Sequence, residues 1–190
     1  VCDAVEGLFL DAPDVDALRG AAEQARLRGH AAIFLADGPL GDAIVLAAGL
    51  SSWTDGVLLG VRAGLHAAVH RHPTLLAREM TTFDHVSGGR ALLAFTGPFD
   101  DAVSEAIALC RDMWAEGIAR SDGPRYPVAG AINRPLPRRP GGPPIALDLT
   151  DGSVAAPALV ARCDLVLVPA GAAPPDALPD GVDVCQIHDA

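Results

Sequence analysis

The chain contains no lysine, so every side chain of permanent positive charge is an arginine. That removes lysine Schiff-base chemistry and the lysine of a phosphate-cradling P-loop. The 14 basic residues face 24 acidic ones, for a formal net charge of −10. This is the wrong sign for general nucleic-acid binding, which rests on neutralising phosphates. Aromatic residues make up only 4% of the chain, so a core must be built from aliphatic side chains and alanine. No apolar run reaches membrane-spanning length, and no membrane partner is expected. No basic segment followed by an apolar one opens the given sequence, so no secretory leader is expected in it. The cysteines, Cys2, Cys110, Cys163 and Cys185, lie far apart. That spacing excludes a zinc ribbon and a redox Cys-x-x-Cys, and the plain reading is reduced thiols in a cytoplasmic protein.

What is present is enough apolar residue, 50% of 190, to bury one sizeable core in one domain spanning 1–190. Short apolar runs at 5–10, 31–35, 56–65, 91–95, 145–149, 164–168 and 182–187 read as seven strands. Helical patterns lie between most of them. The first is capped by Asp14 or Asp16 and lined by Val15, Leu18, Ala22, Ala25 and Leu27. Asp42 caps a second. A later helix starts at Asp100 or Asp101, with Val103, Ile107, Cys110 and Trp114 as its buried stripe. Ser153 is read as the cap of a helix ending near Cys163. Residues 117–142, with five prolines, read as an irregular connector.

The stretch from 70 to 90, HRHPTLLAREMTTFDHVSGGR, organises the rest. Pro73 suits the first turn of a helix and His72 its cap. Leu76, Met80 and Phe83 form one apolar stripe. Gly88-Gly89 ends the helix and permits a left-handed backbone. The plan is strand, basic His-rich loop, helix, strand, and the loop sits at the strand's carboxyl end, where sites form in α/β folds.

Extended through ALLAF, this stretch resembles the central signature of the bacterial luciferase-like monooxygenases, a family of flavin- and deazaflavin-dependent barrels. The resemblance rests on Arg71-His72-Pro73, Phe83-Asp84 and Ser87-Gly88-Gly89-Arg90. GLFL, AAIFLAD, SEAIALCRDMW, PPIALDL and ARCDLVLV extend it over about Leu8 to Val168. It implies a shortened TIM-barrel-like (β/α) fold of the luciferase-like type, seven-stranded or incomplete, with an edge to cover if it stays open. It implies FMN or coenzyme F420 as cofactor, unless cofactor binding has been lost. It implies a homodimer or a hetero-oligomer with a related chain.

The candidate site residues follow from the loops. His70, His72 and Asp37 are the candidate catalytic residues. Arg71 and His72 are the candidate cofactor-binding residues, since an arginine beside a helix N-terminus suits an anion. The plain reading of the same residues is structural: His72 caps the helix, Arg71 pairs with an acid, and Asp37 ties down its loop. His66, His70 and His72 have no acidic ligand in their segment, and no metal is expected. The sequence departs from the family at Gly38, where many members carry a histidine, and in the short exit after the fourth strand. Two readings stay open: a flavin- or deazaflavin-dependent oxidoreductase of unknown substrate, and a noncatalytic subunit or ligand-binding protein. A hydrolase using Asp84-His85 ranks last, for want of a Gly-x-Ser-x-Gly turn. The departures predict flavin binding that is weak or absent. The arginines Arg134, Arg138 and Arg139 stand against that only if their loop folds over the barrel mouth.

Overall fold

The strands form where short apolar runs meet turn residues. A computed structural model describes residues 5–65, 71–175 and 178–189. His66 and His70 fall outside them. The strands are β1 Val5–Phe9, β2 Ala32–Ala36, β3 Leu58–Gly64, β4 Ala91–Thr96, β5 Ile118–Ser121, β6 Val128–Ile132, β7 Ile145–Asp148, β8 Leu165–Pro169 and β9 Asp183–Asp189. All but β5 and β6 form a closed parallel barrel in the order β1-β2-β3-β4-β7-β8-β9. The fold is α/β, with one strand fewer than the eight of a TIM barrel. The open edge does not arise, because β9 pairs with β1 from Val5↔Cys185 to Phe9↔Asp189.

Small residues inside the ring let seven strands close. Phe34 lies opposite Gly60 on β3 and beside β1. A Cβ at Gly60 would run into the Phe34 ring, and one at Gly7 would lie 2.8 Å from Ile187 and 3.0 Å from Phe34. Ala32, Ala94 and Ala146 complete this inner layer with Leu92, Leu167, Cys185 and Ile187. A larger second layer lies between the outer strand faces and the helices.

The helices are α1 Val15–Leu27, α2 Ala43–Leu50, α3 Pro73–Val86, α4 Asp101–Ala115 and α5 Pro157–Val160. Asp14, Asp42, His72 and Asp100 cap the first four by accepting from backbone N–H groups. On α3, Leu76, Met80 and Phe83 are buried as their spacing predicts. Trp114 is buried on α4, and its Nε1–H donates to the Ala77 carbonyl at 3.0 Å. On α1 only Leu18, Ala22 and Ala25 are buried. Val15 and Leu27 are 43% and 62% exposed, because the first and last turns overhang the sheet. Among the described residues no helix is long and apolar enough to cross a membrane.

Three sequence expectations need correction. Residues 117–142 are not irregular throughout, since β5 and β6 form an antiparallel hairpin. Pro124 and Pro127 fall between its strands, where no ladder N–H is needed. Ser153 does not cap α5. Its N–H donates to Asp151 at 2.8 Å, and the helix starts at Pro157 without a side-chain cap. Proline holds the preceding Ala156 extended, so the helix cannot begin earlier. Arg134 and Arg139 do not fold over the mouth. Arg139 donates to the Gly89 carbonyl beyond the C-terminus of α3, and Arg134 to the Glu116 carbonyl beyond that of α4. Arg138 also lies near Gly89. All three sit at the opposite end of the barrel.

Candidate functional site

The parallel strands aim their carboxyl ends at one rim, and charge gathers there. Arg62 lies late in β3, level with Ala36 and Ala94, while Asp148 ends β7 level with Thr96. The alternation of the strands turns both side chains inward. They meet across β4, with Arg62 Nε donating to Asp148 Oδ2 at 2.6 Å. The other oxygen of Asp148 accepts from the backbone N–H and hydroxyl of Thr150. The carboxylate, 1% exposed, is therefore fully engaged. Arg62 stacks over Phe9, its guanidinium carbon 4.0 Å from the ring centroid. This is well within cation–π range. Its two terminal amino groups make no hydrogen bond to any described residue.

Arg62 borders a cavity of about 370 Å³ at the mouth, between Phe9, Phe34 and the loop after β2. Its size falls in the lower part of the range of small-molecule sites. Sequence reading missed Arg62 and Asp148 as site residues. The signal was there: each is a lone charge inside an apolar strand, GVLLGVRAGL and IALDL.

The candidates read from the sequence lie beside this cavity. Asp37 lines it. Its Oδ1 accepts from the Ala43 N–H at 2.8 Å and its Oδ2 from Arg71 Nη1 at 2.9 Å. Arg71 also pairs with Asp42 and, through Nε, with Glu79 at 2.9 Å. The Glu79 contact is close but poorly aligned, so it is a charge pair and not a hydrogen bond. Burial alone would lower the Arg71 pKa, but Asp37 and Asp42 outweigh it and raise it. His72 Nδ1 faces the hydroxyl and N–H of Thr74 at 2.8 and 3.3 Å, and its ring stands edge-on to Tyr126. The structure thus brings Asp37, Arg71 and His72 to the same side of the mouth, each in a contact that holds the fold. Among the described residues no group of three or more His, Cys, Asp or Glu side chains could hold a metal ion.

Gly38 also lines the cavity. It forms a tight turn with Gly41, each N–H bonded to the other's carbonyl. A Cβ at Gly38 would meet nothing closer than the Ala36 carbonyl at 4.0 Å. Glycine is therefore not required there by packing, and the position has room for a larger side chain.

The parallel barrel, the mouth cavity and the α3 signature agree with a match to the luciferase-like monooxygenase family over residues 4–96. The match takes in just under half of this chain, from β1 to β4. No curated protein sequence matches it significantly. Among solved structures it is similar to a coenzyme F420-dependent tetrahydromethanopterin reductase from Methanopyrus kandleri. That pair has a TM-score of 0.72 at 16% identity, covering 88% of this chain and 56% of the other. It is similar to a riboflavin lyase solved with modified FMN and its substrate riboflavin, with a TM-score of 0.70 at 15% identity over 90% and 55%. It is also similar to the oxygenating constituent of 3,6-diketocamphane monooxygenase from Pseudomonas putida, in complex with FMN. There the TM-score is 0.62 at 16% identity over 87% and 58%. These chains share its fold, and it spans a little over half their length.

Proposed function

We propose that the chain is a luciferase-like oxidoreductase homologue whose barrel mouth takes the ring of a flavin or deazaflavin, FMN or coenzyme F420 by family. The supporting observation is Arg62, which is oriented by Asp148, stacked on Phe9 and part of the cavity lining. A fixed guanidinium fork suits the carbonyl edge of a flat heteroaromatic ring. The bound group would supply the hydride and electron chemistry, and the protein the orientation and electrostatics. Phe9 and Phe34 would hold the ring and Arg62 its polar edge. Arg71 does not fit the role of phosphate holder, because three carboxylates already surround it. The three described cysteines are buried free thiols, and a cytoplasmic location is part of this proposal.

The engagement of Asp37, Arg71 and His72 in structural contacts favours a second reading, a noncatalytic luciferase-like subunit or ligand-binding protein. One experiment separates the two. The wild type and Gly38→His are titrated with FMN and with a deazaflavin, by absorbance and calorimetry, and then assayed for reduction of the bound ring. The expected outcome is weak binding by the wild type and tighter binding by the variant, with melting unchanged. Binding without any reduction would move the chain to the noncatalytic reading. No binding by either protein would remove the flavin proposal.

A further inference from the structure

The charges around the mouth say which part of a ligand this site reads. Among the described residues Arg62 is the one cation bordering the cavity, and it already shares its charge with Asp148. Asp11 and Asp37 line the same cavity. Asp151 is close enough for the charge of Arg62 to help hold its carboxyl below the ordinary value, after the larger contribution of hydrogen bonds from Ser153. Behind Asp37, the single guanidinium of Arg71 faces Asp37, Asp42 and Glu79. A second, shallower groove leaves the mouth past Asp11, Pro13 and Leu40, and among the described residues the only charge on its walls is that of Asp11. Whichever of these two ways a ligand's tail runs, it enters a negative field. What the site offers instead is two aromatic faces and a fork of hydrogen-bond donors.

We infer that the mouth selects an uncharged, flat heteroaromatic ring with carbonyl acceptors, and discriminates against a phosphorylated tail. The inference rests on the flavin-ring reading above. Within that class the preferred ligand is the riboflavin type and not its phosphate. Arg62 is the residue that recognises the ring, since its donors face acceptors that riboflavin and FMN share. Asp11 and the three-acid cluster are what disfavour the phosphate, by charge repulsion at an open mouth that salt can screen.

The test is a pair of titrations of the whole chain with riboflavin and with FMN, followed by quenching of flavin fluorescence at low and at moderate salt. Riboflavin is expected to bind at least as tightly as FMN. FMN should gain about three- to tenfold as added salt screens the repulsion, while riboflavin stays unchanged. Asp11→Arg, at an exposed position, should shift the preference toward FMN without a change in melting temperature. Arg62→Lys should weaken both ligands by a similar factor, because it loses the fork while keeping the charge beside Asp148. FMN binding about tenfold tighter than riboflavin, or FMN binding that weakens with salt as counter-ion release requires, overturns the inference and leaves the flavin-ring proposal standing. An Asp11→Arg variant with an unchanged preference also overturns it. Binding of neither ligand removes the flavin-ring proposal itself.

Discussion

At the scale of single residues, Arg71 shows how one side chain joins local structure to the site. Its guanidinium fastens the loop after β2, through Asp37 and Asp42, to the first turns of α3, through Glu79. Arg71→Ala leaves three carboxylates without their cation. The expected loss is about 1–3 kcal/mol, between the values for exposed and buried pairs. The melting temperature should fall by several degrees, and ligand binding should fall only as far as the loop loosens. Thermal melting and a binding titration on the same variant check this; lost binding with unchanged melting would place Arg71 in the ligand site instead. Glu79 supplies a pH signature. Burial is the main cause that raises its pKa above the ordinary 4.5; Arg71 opposes the shift, and Asp42 and Asp37 add to it. A carboxyl that holds its proton more tightly when folded favours the folded state at low pH. That contribution is lost as pH rises from 4.5 through the raised folded value. Glu79→Gln should therefore match or slightly exceed the wild type at neutral pH, by no more than about 1 kcal/mol. The difference should shrink on acidification, and urea melts at two pH values would show it.

At the scale of elements, legibility in the sequence tracked how strongly each segment is buried. The central barrel strands β2, β4, β7 and β8 were readable because β-strands buried on both sides are nearly continuous apolar runs, while the mixed β1 and β9 were readable only as short apolar runs between turns. The caps at Asp42 and His72 were readable, and those at Asp14 and Asp100 to within a choice of two aspartates, because a cap is a local hydrogen bond. The β5–β6 hairpin was not, since Val128–Ile132 is nowhere fully buried and prolines flank its turn. Arg62 and Asp148 were missed for the converse reason: their meeting depends on the strand order β3-β4-β7, which skips a hairpin. Barrel closure was also illegible, because it depends on cross-strand fit at Gly7, Phe34 and Gly60. That fit can be tested. Gly60→Ala puts a methyl group into the Phe34 ring, and overpacking of this kind costs about 1–3 kcal/mol. Gly60→Ala with Phe34→Leu should recover part of the loss. An undiminished melting temperature in the single variant would show that the inner layer is not tightly packed.

At the scale of the whole molecule, self-association draws no support from an open barrel edge. The closed barrel leaves no barrel edge to cover, so a partner must meet the helices, the loops or the β5–β6 hairpin outside the barrel. The remaining ground is apolar exposure on the first-half helices, with Val45 on α2 68% exposed, and Leu75 and Val86 on α3 50% and 58% exposed. We propose that a second copy of the chain covers these side chains. Each copy carries a formal charge of −10, so long-range forces oppose the encounter while short-range apolar burial favours it. Salt weakens the first and leaves the second intact. Sedimentation at micromolar concentration should therefore show a dimer fraction that grows from low to physiological ionic strength. A salt bridge-dominated contact would show the opposite trend. Val45→Glu and Leu75→Glu, both at exposed positions, should each reduce the dimer while leaving the stability of the dilute monomer within about 0.5 kcal/mol of wild type. A monomer at every salt concentration would sink the proposal, and a dimer insensitive to both variants would move the interface off these helices.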